Sequence, residues 1–166
     1  DDGSREFLDN LSHPRIRYLY NPKRLGITKS LLVGFANVLP RADLILTMDA
    51  DLNHQPEEIP NLMKCLHEKN ADITIGSRYI RGGRVLGMPA WKLLLSRAMN
   101  IFINVFSGIK TADKTSGFRI YKKDALKHIA GNIRAKNFEF FPESILVAHK
   151  AGFTFAETPI NFIFRV

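Results

Sequence analysis

The chain has 166 residues, of which 45% are apolar and 24% are charged. This composition excludes a disordered tail, a collagen-like repeat and a low-complexity linker. The single cysteine, Cys65, excludes an internal disulfide and a zinc site built from several cysteines. The net charge of +8 favours anionic partners, which are phosphorylated small molecules, nucleic acid or an acidic membrane surface. The length predicts one domain over 1–166.

Helices and strands alternate in the first half of the sequence. The predicted elements are, in chain order, a helix over 4–11, a strand over 16–20, a helix over 28–39, a strand over 44–48, a helix over 56–69 and a strand over 71–75. The apolar runs at 44–48 and 71–75 are typical of strands buried on both faces. Because a long helical crossover separates these two strands, we expect them to pair in parallel. The alternation predicts an α/β fold.

The second half is less regular and contains one strongly apolar helix. The predicted elements are helices over 92–107, 123–130 and 141–151, a strand over 118–121 and an extended segment over 153–164. The helix over 92–107 has a narrow polar stripe formed by Lys92, Ser96, Asn100 and Asn104. Sequence statistics favour a core helix, and the alternative is an interfacial helix that lies on a membrane or meets a lipid chain. No run of about 18 apolar residues occurs, so no membrane-spanning helix is expected.

Charged side chains follow both buried strands. Asp49 and Asp51 come directly after the first strand, and Arg78 comes after the second. The carboxyl ends of parallel strands meet at one edge of a sheet, where open α/β folds bind ligands. We therefore expect these side chains to share a ligand site, which Asp1 and Asp2 would join if a strand precedes them.

The acidic pair is a candidate metal site. Two carboxylates that are two residues apart on an extended chain share a face, and their repulsion favours a hard divalent cation. Mg²⁺ or Mn²⁺ held by Asp49 and Asp51 could bridge to a diphosphate, with Asn53 as a neutral oxygen ligand. The alternative is that Asp51 and Asn53 only cap the helix that begins at Pro56.

Positive charge is concentrated nearby. Arg78, Arg81 and Arg84 lie close together in the sequence, and arginine binds phosphate through a bidentate fork. The alternative is a solvated basic loop. For His54, beside the acidic pair, a helix-capping or solvent-facing position is favoured over a metal ligand.

Five short motifs follow one another along the chain. They are Asp1-Asp2-Gly3-Ser4, Met48-Asp49-Ala50-Asp51-Leu52-Asn53-His54-Gln55-Pro56-Glu57, Gly76-Ser77-Arg78-Tyr79, Thr115-Ser116-Gly117-Phe118-Arg119, and Pro159-Ile160-Asn161-Phe162 through Arg165. In this order and approximate spacing the sequence resembles the inverting family-2 glycosyltransferases of the GT-A fold. It is most similar to their polyprenyl-phosphate branch, typified by dolichyl-phosphate mannose synthase. The resemblance implies a Rossmann-like, mainly parallel sheet flanked by helices.

The resemblance also implies roles for individual residues. The implied donor-binding residues are Asp1, Asp2, Asp49, Asp51 and Arg78, the metal ligands are Asp49, Asp51 and Asn53, the acceptor or phosphate ligands are Ser116, Arg119 and Arg165, and the catalytic residues are Asp51, Arg78, Asp113 and Arg165. The implied cofactor is Mg²⁺ or Mn²⁺. The implied substrates are a GDP- or UDP-hexose (mannose or glucose) and a dolichyl or undecaprenyl phosphate, with no nucleic-acid partner. The implied location is the cytoplasmic side of a membrane, peripheral or anchored through segments outside this chain.

The acceptor decides which chemistry the site needs. Negative charge grows on the leaving nucleoside diphosphate, and a metal at the acidic pair together with arginines would stabilise it. A lipid phosphate is already ionised, so it needs positioning rather than a strong base. A sugar hydroxyl would need a carboxylate base, for which Asp113 is the candidate.

The sequence departs from the family pattern at both ends. The first strand, which carries part of the nucleoside site, and the C-terminal transmembrane segments of many bacterial members are both missing, so we expect a partial catalytic domain. Three alternatives stay open. They are a family-2 transferase that acts on a hydroxyl in polysaccharide or glycolipid synthesis, a basic nucleic-acid-binding module without catalysis, and an inactive remnant of the fold.

Overall fold

The computed structural model describes residues 3–11 and 13–165, with only the backbone of residue 106. The strands are β1 (Leu44–Thr47), β2 (Ile73–Ser77), β3 (Arg84–Leu86), β4 (Arg119–Lys122), β5 (Phe155–Pro159) and β6 (Asn161–Ile163). The helices are α1 (Ser4–Asn10), α2 (Ile27–Val38), α3 (Ile59–Glu68), α4 (Ala90–Ser107), α5 (Lys123–Asn132) and α6 (Phe140–Lys150), and a 3₁₀ turn over Pro56–Glu58 precedes α3. The central sheet has the order β1-β4-β2-β5, and β3 pairs with β6 in a second, two-stranded sheet.

Strand β4 separates the two strands that the sequence predicts to pair. It is antiparallel to both β1 and β2, with Tyr121 opposite Ile45 on one side and Ile73 on the other. Strand β2 pairs in parallel with β5. The predicted direct pairing of 44–48 with 71–75 is therefore wrong, and the sheet is mixed, with β1, β2 and β5 running in one direction and β4 in the other. The crossover through α3 sets the direction of β1 and β2 but leaves room for a later strand between them.

Helices cover both faces of the central sheet. One face packs against α2, α5 and α6 in a cluster that includes Phe35, Ile75 and Phe140. The other face packs against α3 through Leu62 and Leu66. In β1 and β4, alternate residues enter opposite clusters, as the period of two requires. The predicted α/β class is confirmed.

The segment 16–20 does not form the predicted strand. Its apolar side chains are about half exposed. The hydroxyl groups of its two tyrosines form hydrogen bonds to the segment that precedes it. Tyr18 Oη donates to the Leu11 carbonyl at 3.0 Å, and Tyr20 Oη donates to Asp9 Oδ1 at 2.7 Å. Residues with high β propensity still need a neighbouring backbone, and none of the described strands pairs with this segment.

Helix α4 forms as predicted but is not a core helix. Its large apolar side chains are mostly exposed, and the exposed ones are Trp91, Leu94, Leu95, Met99, Ile101, Phe102 and Val105. The polar stripe faces inward instead, and Asn100 is only 3% exposed. The favoured interpretation is wrong because helical periodicity identifies an apolar face without showing what covers it. Among the described helices, none combines the length and hydropathy that crossing a bilayer requires.

Candidate active site

The carboxyl ends of β1, β2 and β5 and the start of β4 meet at one edge of the central sheet. A cleft of about 490 Å³ opens there. It is lined by Asp49, His54, Arg78, Met99, Thr115, Ser116, Gly117, Phe138, Glu139, Phe141, Pro142 and Phe162. A second cleft of about 400 Å³ runs along α2 and β1 with a mostly apolar lining. The two clefts share Asp49, Gly117 and Phe141, so they meet at the acidic motif.

Arg78 leaves the end of β2 and forms a buried ion pair with Asp113. Its Nε donates to Asp113 Oδ2 at 2.7 Å, and its Nη2 donates to Oδ1 at 2.8 Å. The Arg78 backbone N–H also donates to Oδ2, and Thr115 Oγ1 accepts a further bond from Nη2 at 2.8 Å. Arg78 is 9% exposed, and Asp113 is 0% exposed. These bonds fix the guanidinium in one orientation at the wall of the cleft.

Asp113 is not suited to act as a general base. Burial alone would raise its pKa, but the hydrogen bonds and charge of Arg78, with the Thr115 hydroxyl, outweigh burial and lower the pKa. Both carboxylate oxygens already accept bonds. The predicted base role for a hydroxyl acceptor does not fit this geometry, and Asp113 instead orients Arg78.

Asp49 and Asp51, the two carboxylates of the acidic motif, differ in their contacts. Asp51 accepts bonds from the Asn53 backbone N–H at 3.0 Å and from Asn53 Nδ2 at 2.6 Å. Partial burial and, to a lesser extent, the charge of Asp51 raise the pKa of Asp49. Among the described residues no lysine, arginine or histidine forms an ion pair with either carboxylate. Negative charge therefore accumulates at the point where the two clefts meet.

The two carboxylates fit a hard divalent cation. Mg²⁺ is commonly held by one or two carboxylates together with substrate phosphates, and no lysine, arginine or histidine of the described residues forms an ion pair with this pair. Asn53 fits less well as a ligand, because its Nδ2 is bonded to Asp51 and its Oδ1 accepts from the Arg165 backbone N–H at 3.0 Å. Within 3–11 and 13–165 no cluster of three or more His, Cys, Asp or Glu side chains could hold a metal. A cation here would complete its shell with water or with ligand phosphate.

The predicted acceptor residues differ in access. Ser116 lines the cleft, and its backbone N–H donates to Asp113 Oδ1 at 3.1 Å. Arg165 is exposed, and its backbone bond to Asn53 brings the C-terminal segment beside the acidic motif. Asp1 and Asp2 lie outside the described residues, so their predicted donor contacts stay a prediction.

Arg119 occupies the interior rather than the cleft. It is 0% exposed. Its Nη1 donates to the Phe141 carbonyl at 3.0 Å and to Ser144 Oγ at 2.8 Å, and its Nη2 donates to the Lys114 carbonyl at 2.6 Å. These bonds fasten the start of β4 to α6, so the predicted contact with an acceptor phosphate does not fit this structure. Arg81 and Arg84, which follow Arg78 in the sequence, are exposed and do not line the cleft.

His54 is buried instead of facing solvent. It is 3% exposed, and its ring centroid lies 5.2 Å from that of Phe118 and 5.1 Å from that of Phe162. Burial and then the charge of Arg78 lower its pKa to about 4, against smaller opposing effects of Asp51 and Asp113. The ring is therefore neutral near pH 7. Both aromatic partners are far away in the sequence, so no local pattern signals this burial.

Acidification of the metal-free protein from pH 6.5 to about pH 4 is expected to destabilise it through His54. Because the pKa is lower in the folded state, the unfolded chain binds the proton first, and the free energy of unfolding falls through this window. The shift corresponds to about 3 kcal/mol. Urea unfolding with EDTA, compared between the wild type and His54→Phe, measures this effect. The variant keeps an aromatic ring and should lose less stability, whereas equal losses would contradict the assignment.

Comparison with known proteins identifies the family. The sequence profile described as Glycosyl transferase family 2 matches residues 1–130. The chain belongs to glycosyl transferase family 2. The resemblance drawn from the order of the five motifs is confirmed.

Two curated relatives of this family 2 glycosyltransferase match almost its whole length. Undecaprenyl-phosphate mannosyltransferase from Micrococcus luteus is 30% identical over 168 residues, which cover 99% of this chain and 68% of the relative. Polyprenol monophosphomannose synthase from Mycolicibacterium smegmatis is 31% identical over 169 residues, which cover 99% of this chain and 63% of the relative. The chain therefore spans about two thirds of the length of these relatives.

Solved structures confirm the fold. Glucosyl-3-phosphoglycerate synthase from Mycobacterium tuberculosis, in complex with phosphoglyceric acid, matches with a TM-score of 0.59 at 17% identity, over 88% of this chain and 48% of that one. A crystal structure described only as a mycobacterial protein matches with a TM-score of 0.62 at 16% identity, over 86% of this chain and 44% of that one. At these identities the likeness concerns the GT-A fold alone.

Proposed function

We propose that this family 2 glycosyltransferase transfers a hexose from a nucleoside diphosphate sugar to a polyprenyl phosphate. The observation that carries the proposal is the pair of Arg78 and Asp113. The pair fixes the guanidinium at the cleft wall, where the described residues leave Nη1 to donate to an anionic acceptor, and it leaves Asp113 a poor base for a hydroxyl acceptor. The names of the two curated relatives, which refer to undecaprenyl phosphate and polyprenol as well as to mannose, support the same acceptor class.

In this proposal the two clefts divide the substrates between them. The apolar cleft along α2 and β1 takes the nucleoside, and the diphosphate lies at Asp49 and Asp51, where the clefts meet. The sugar and the acceptor phosphate lie in the other cleft beside Arg78. Bound Mg²⁺ or Mn²⁺ would neutralise part of the charge on the diphosphate.

The bond changes balance without a protein base. A phosphate oxygen of the acceptor forms a bond to the anomeric carbon while the bond from that carbon to the diphosphate breaks. The bonding electrons leave with the nucleoside diphosphate, and the attacking oxygen carries no proton that must be removed. Arg78 orients the acceptor anion, so positioning supplies much of the rate.

The proposal is tested by supplying labelled GDP-mannose and UDP-glucose separately, with undecaprenyl phosphate in detergent and with Mg²⁺, Mn²⁺ or EDTA. We expect one donor to give a labelled, solvent-extractable lipid, and we expect EDTA to abolish its formation. The released nucleoside diphosphate should equal the labelled lipid in amount. Release of sugar into water without labelled lipid would contradict the proposed acceptor.

The exposed face of α4 lies on the membrane surface in this proposal. Residues 90–107 contain no aspartate or glutamate, and their two charged residues are Lys92 and Arg97. An apolar face flanked by basic side chains suits a bilayer that contains anionic lipids. The polyprenyl tail of the acceptor lies in the same bilayer, so docking there brings its phosphate to the cleft. The occupant of this face is therefore a lipid surface.

Trp91 reports directly on this docking, because it is the single tryptophan and is 64% exposed on α4. Vesicles of phosphatidylcholine and phosphatidylglycerol should shift its fluorescence to shorter wavelength. Leu94→Glu should weaken vesicle binding by about tenfold or more, because it replaces inserted apolar area with a charge. The control Phe7→Glu introduces the same charge at an exposed site on α1 and should bind as the wild type does. A shift that depends on protein concentration without vesicles would instead indicate a second copy of the chain.

A further inference from the structure

The polar stripe of α4 is bonded to the loop over 111–116. Asn100 Oδ1 accepts a bond from the Lys114 backbone N–H at 2.6 Å, and Asn100 Nδ2 donates to Thr115 Oγ1 at 3.4 Å. One turn further along α4, Asn104 Oδ1 accepts a bond from Lys114 Nζ. The buried side of α4 therefore contacts two consecutive residues of this loop.

The same loop orients the Arg78 guanidinium. Asp113 accepts the bidentate pair of bonds from Arg78, and Thr115 Oγ1 accepts the further bond from Nη2. Lys114, which Asn100 holds, lies between these two acceptors in the chain. On the other side, the Glu157 carboxylate of β5 accepts bonds from the backbone N–H groups of residues 112 and 113 at 2.8 and 3.0 Å. A displacement of the Lys114 backbone therefore moves the groups that hold Arg78.

Hydrogen bonds of its polar side chains attach helix α4 to the loop. None of its described side chains belongs to either hydrophobic cluster of the core. A further attachment is polar as well, since Tyr79 Oη donates to Ser96 Oγ at 2.7 Å. The position of α4 and the conformation of the loop therefore depend on each other.

We propose that Asn100 is a positioning residue that couples the seating of α4 on a lipid surface to the orientation of Arg78 at the acceptor phosphate. This inference rests on the proposed function and deepens it, because it names how the membrane regulates the acceptor site. Lipid that binds the exposed apolar face of α4 holds the helix in place. The bonds of the Asn100 amide then hold the loop in place as well. The bilayer thereby favours the loop conformation in which both acceptors of Arg78 are in position.

Hydrogen–deuterium exchange of the 166-residue chain measures the coupling without any substrate. Vesicles of phosphatidylcholine and phosphatidylglycerol should slow exchange in α4 and, by about tenfold, in residues 111–119 of the wild type. In Asn100→Ala the vesicles should still slow exchange in α4 but should change the exchange rate of the loop by less than about twofold. Asn37→Ala is the matched control, because Asn37 makes the same bond to the carbonyl four residues earlier as Asn100 does and no bond to the loop. The control should respond as the wild type does.

A second variant guards against a folding defect in Asn100→Ala. Asn104→Ala removes one partner of Lys114 Nζ but leaves the Ile109 and Thr111 carbonyls as acceptors, so it should fold and show a partial loss of coupling. Loop protection by vesicles that is unchanged in both variants, or absent in the wild type, would overturn the proposal.

Kinetics separate positioning from a general structural role. Loss of the Asn100 bond should raise KM for polyprenyl phosphate by about five- to tenfold, the equivalent of one neutral hydrogen bond, and leave KM for the nucleotide sugar unchanged. Equal increases in both KM values would contradict a positioning role. If the wild type transfers no sugar to polyprenyl phosphate, the proposed function fails, and the exchange experiment still decides whether α4 and the loop are coupled.

Discussion

Arg78→Lys is expected to lower the rate of sugar transfer by about 10²–10³ while the protein stays folded. Lysine keeps the positive charge but loses the two bonds that the guanidinium donates to the Asp113 carboxylate. It also loses the bond from Nη2 to Thr115 Oγ1. The cation at the cleft then has no fixed direction. Steady-state kinetics with varied polyprenyl phosphate, alongside thermal unfolding of the same samples, measure both effects.

Arg78→Ala separates the structural part of this interaction from the chemical part. It leaves the fully buried Asp113 carboxylate without its cation, which is expected to cost about 3–5 kcal/mol of stability. The control Arg81→Ala removes an exposed arginine three residues away and should keep both activity and stability. Wild-type rates in Arg78→Lys would remove Arg78 from the acceptor site.

Asp51→Asn is expected to weaken metal-dependent binding of the nucleotide sugar by about 10- to 100-fold with little effect on folding. The amide keeps the shape of the carboxylate but removes one of the two charges that the cation balances. Titration calorimetry with the preferred nucleotide, with and without Mn²⁺, measures the difference. Asp43→Asn is the control, because the Asp43 side chain, one residue before β1, is 97% exposed. Unchanged metal dependence in Asp51→Asn would remove the acidic motif from the donor site.

Local patterns in the sequence predict most of the secondary structure and the common edge of the site. The sequence signals that succeed each involve only a few neighbouring residues. They are the apolar runs of the buried strands, the proline at the start of the turn before α3, and the polar residues that follow strands. Asp49 and Arg78 reach the same cleft because β1 and β2 run in the same direction. The insertion of β4 between them depends on a segment more than 40 residues further along the chain, so no short pattern reveals it.

Partners that are distant in the sequence account for the rest. Arg78 and Asp113 are 35 residues apart, and Glu157 reaches the Asp113 backbone from 44 residues away. Arg119 is of a residue type that commonly binds phosphate, but its side chain is enclosed by α6 and the 111–116 loop. The apolar face of α4 is visible in the sequence, but whether protein or lipid covers it depends on the packing of the whole chain.

The most direct test of the central claim compares undecaprenyl phosphate with undecaprenol as acceptors for the same labelled nucleotide sugar. Both lipids share one tail, so they differ only in whether the attacking oxygen belongs to a phosphate or to a hydroxyl. A site whose arginine is fixed and whose candidate base, Asp113, is engaged by that arginine should label the phosphate and leave the alcohol unlabelled. Comparable labelling of the alcohol would show that a base operates in the cleft and would contradict the account.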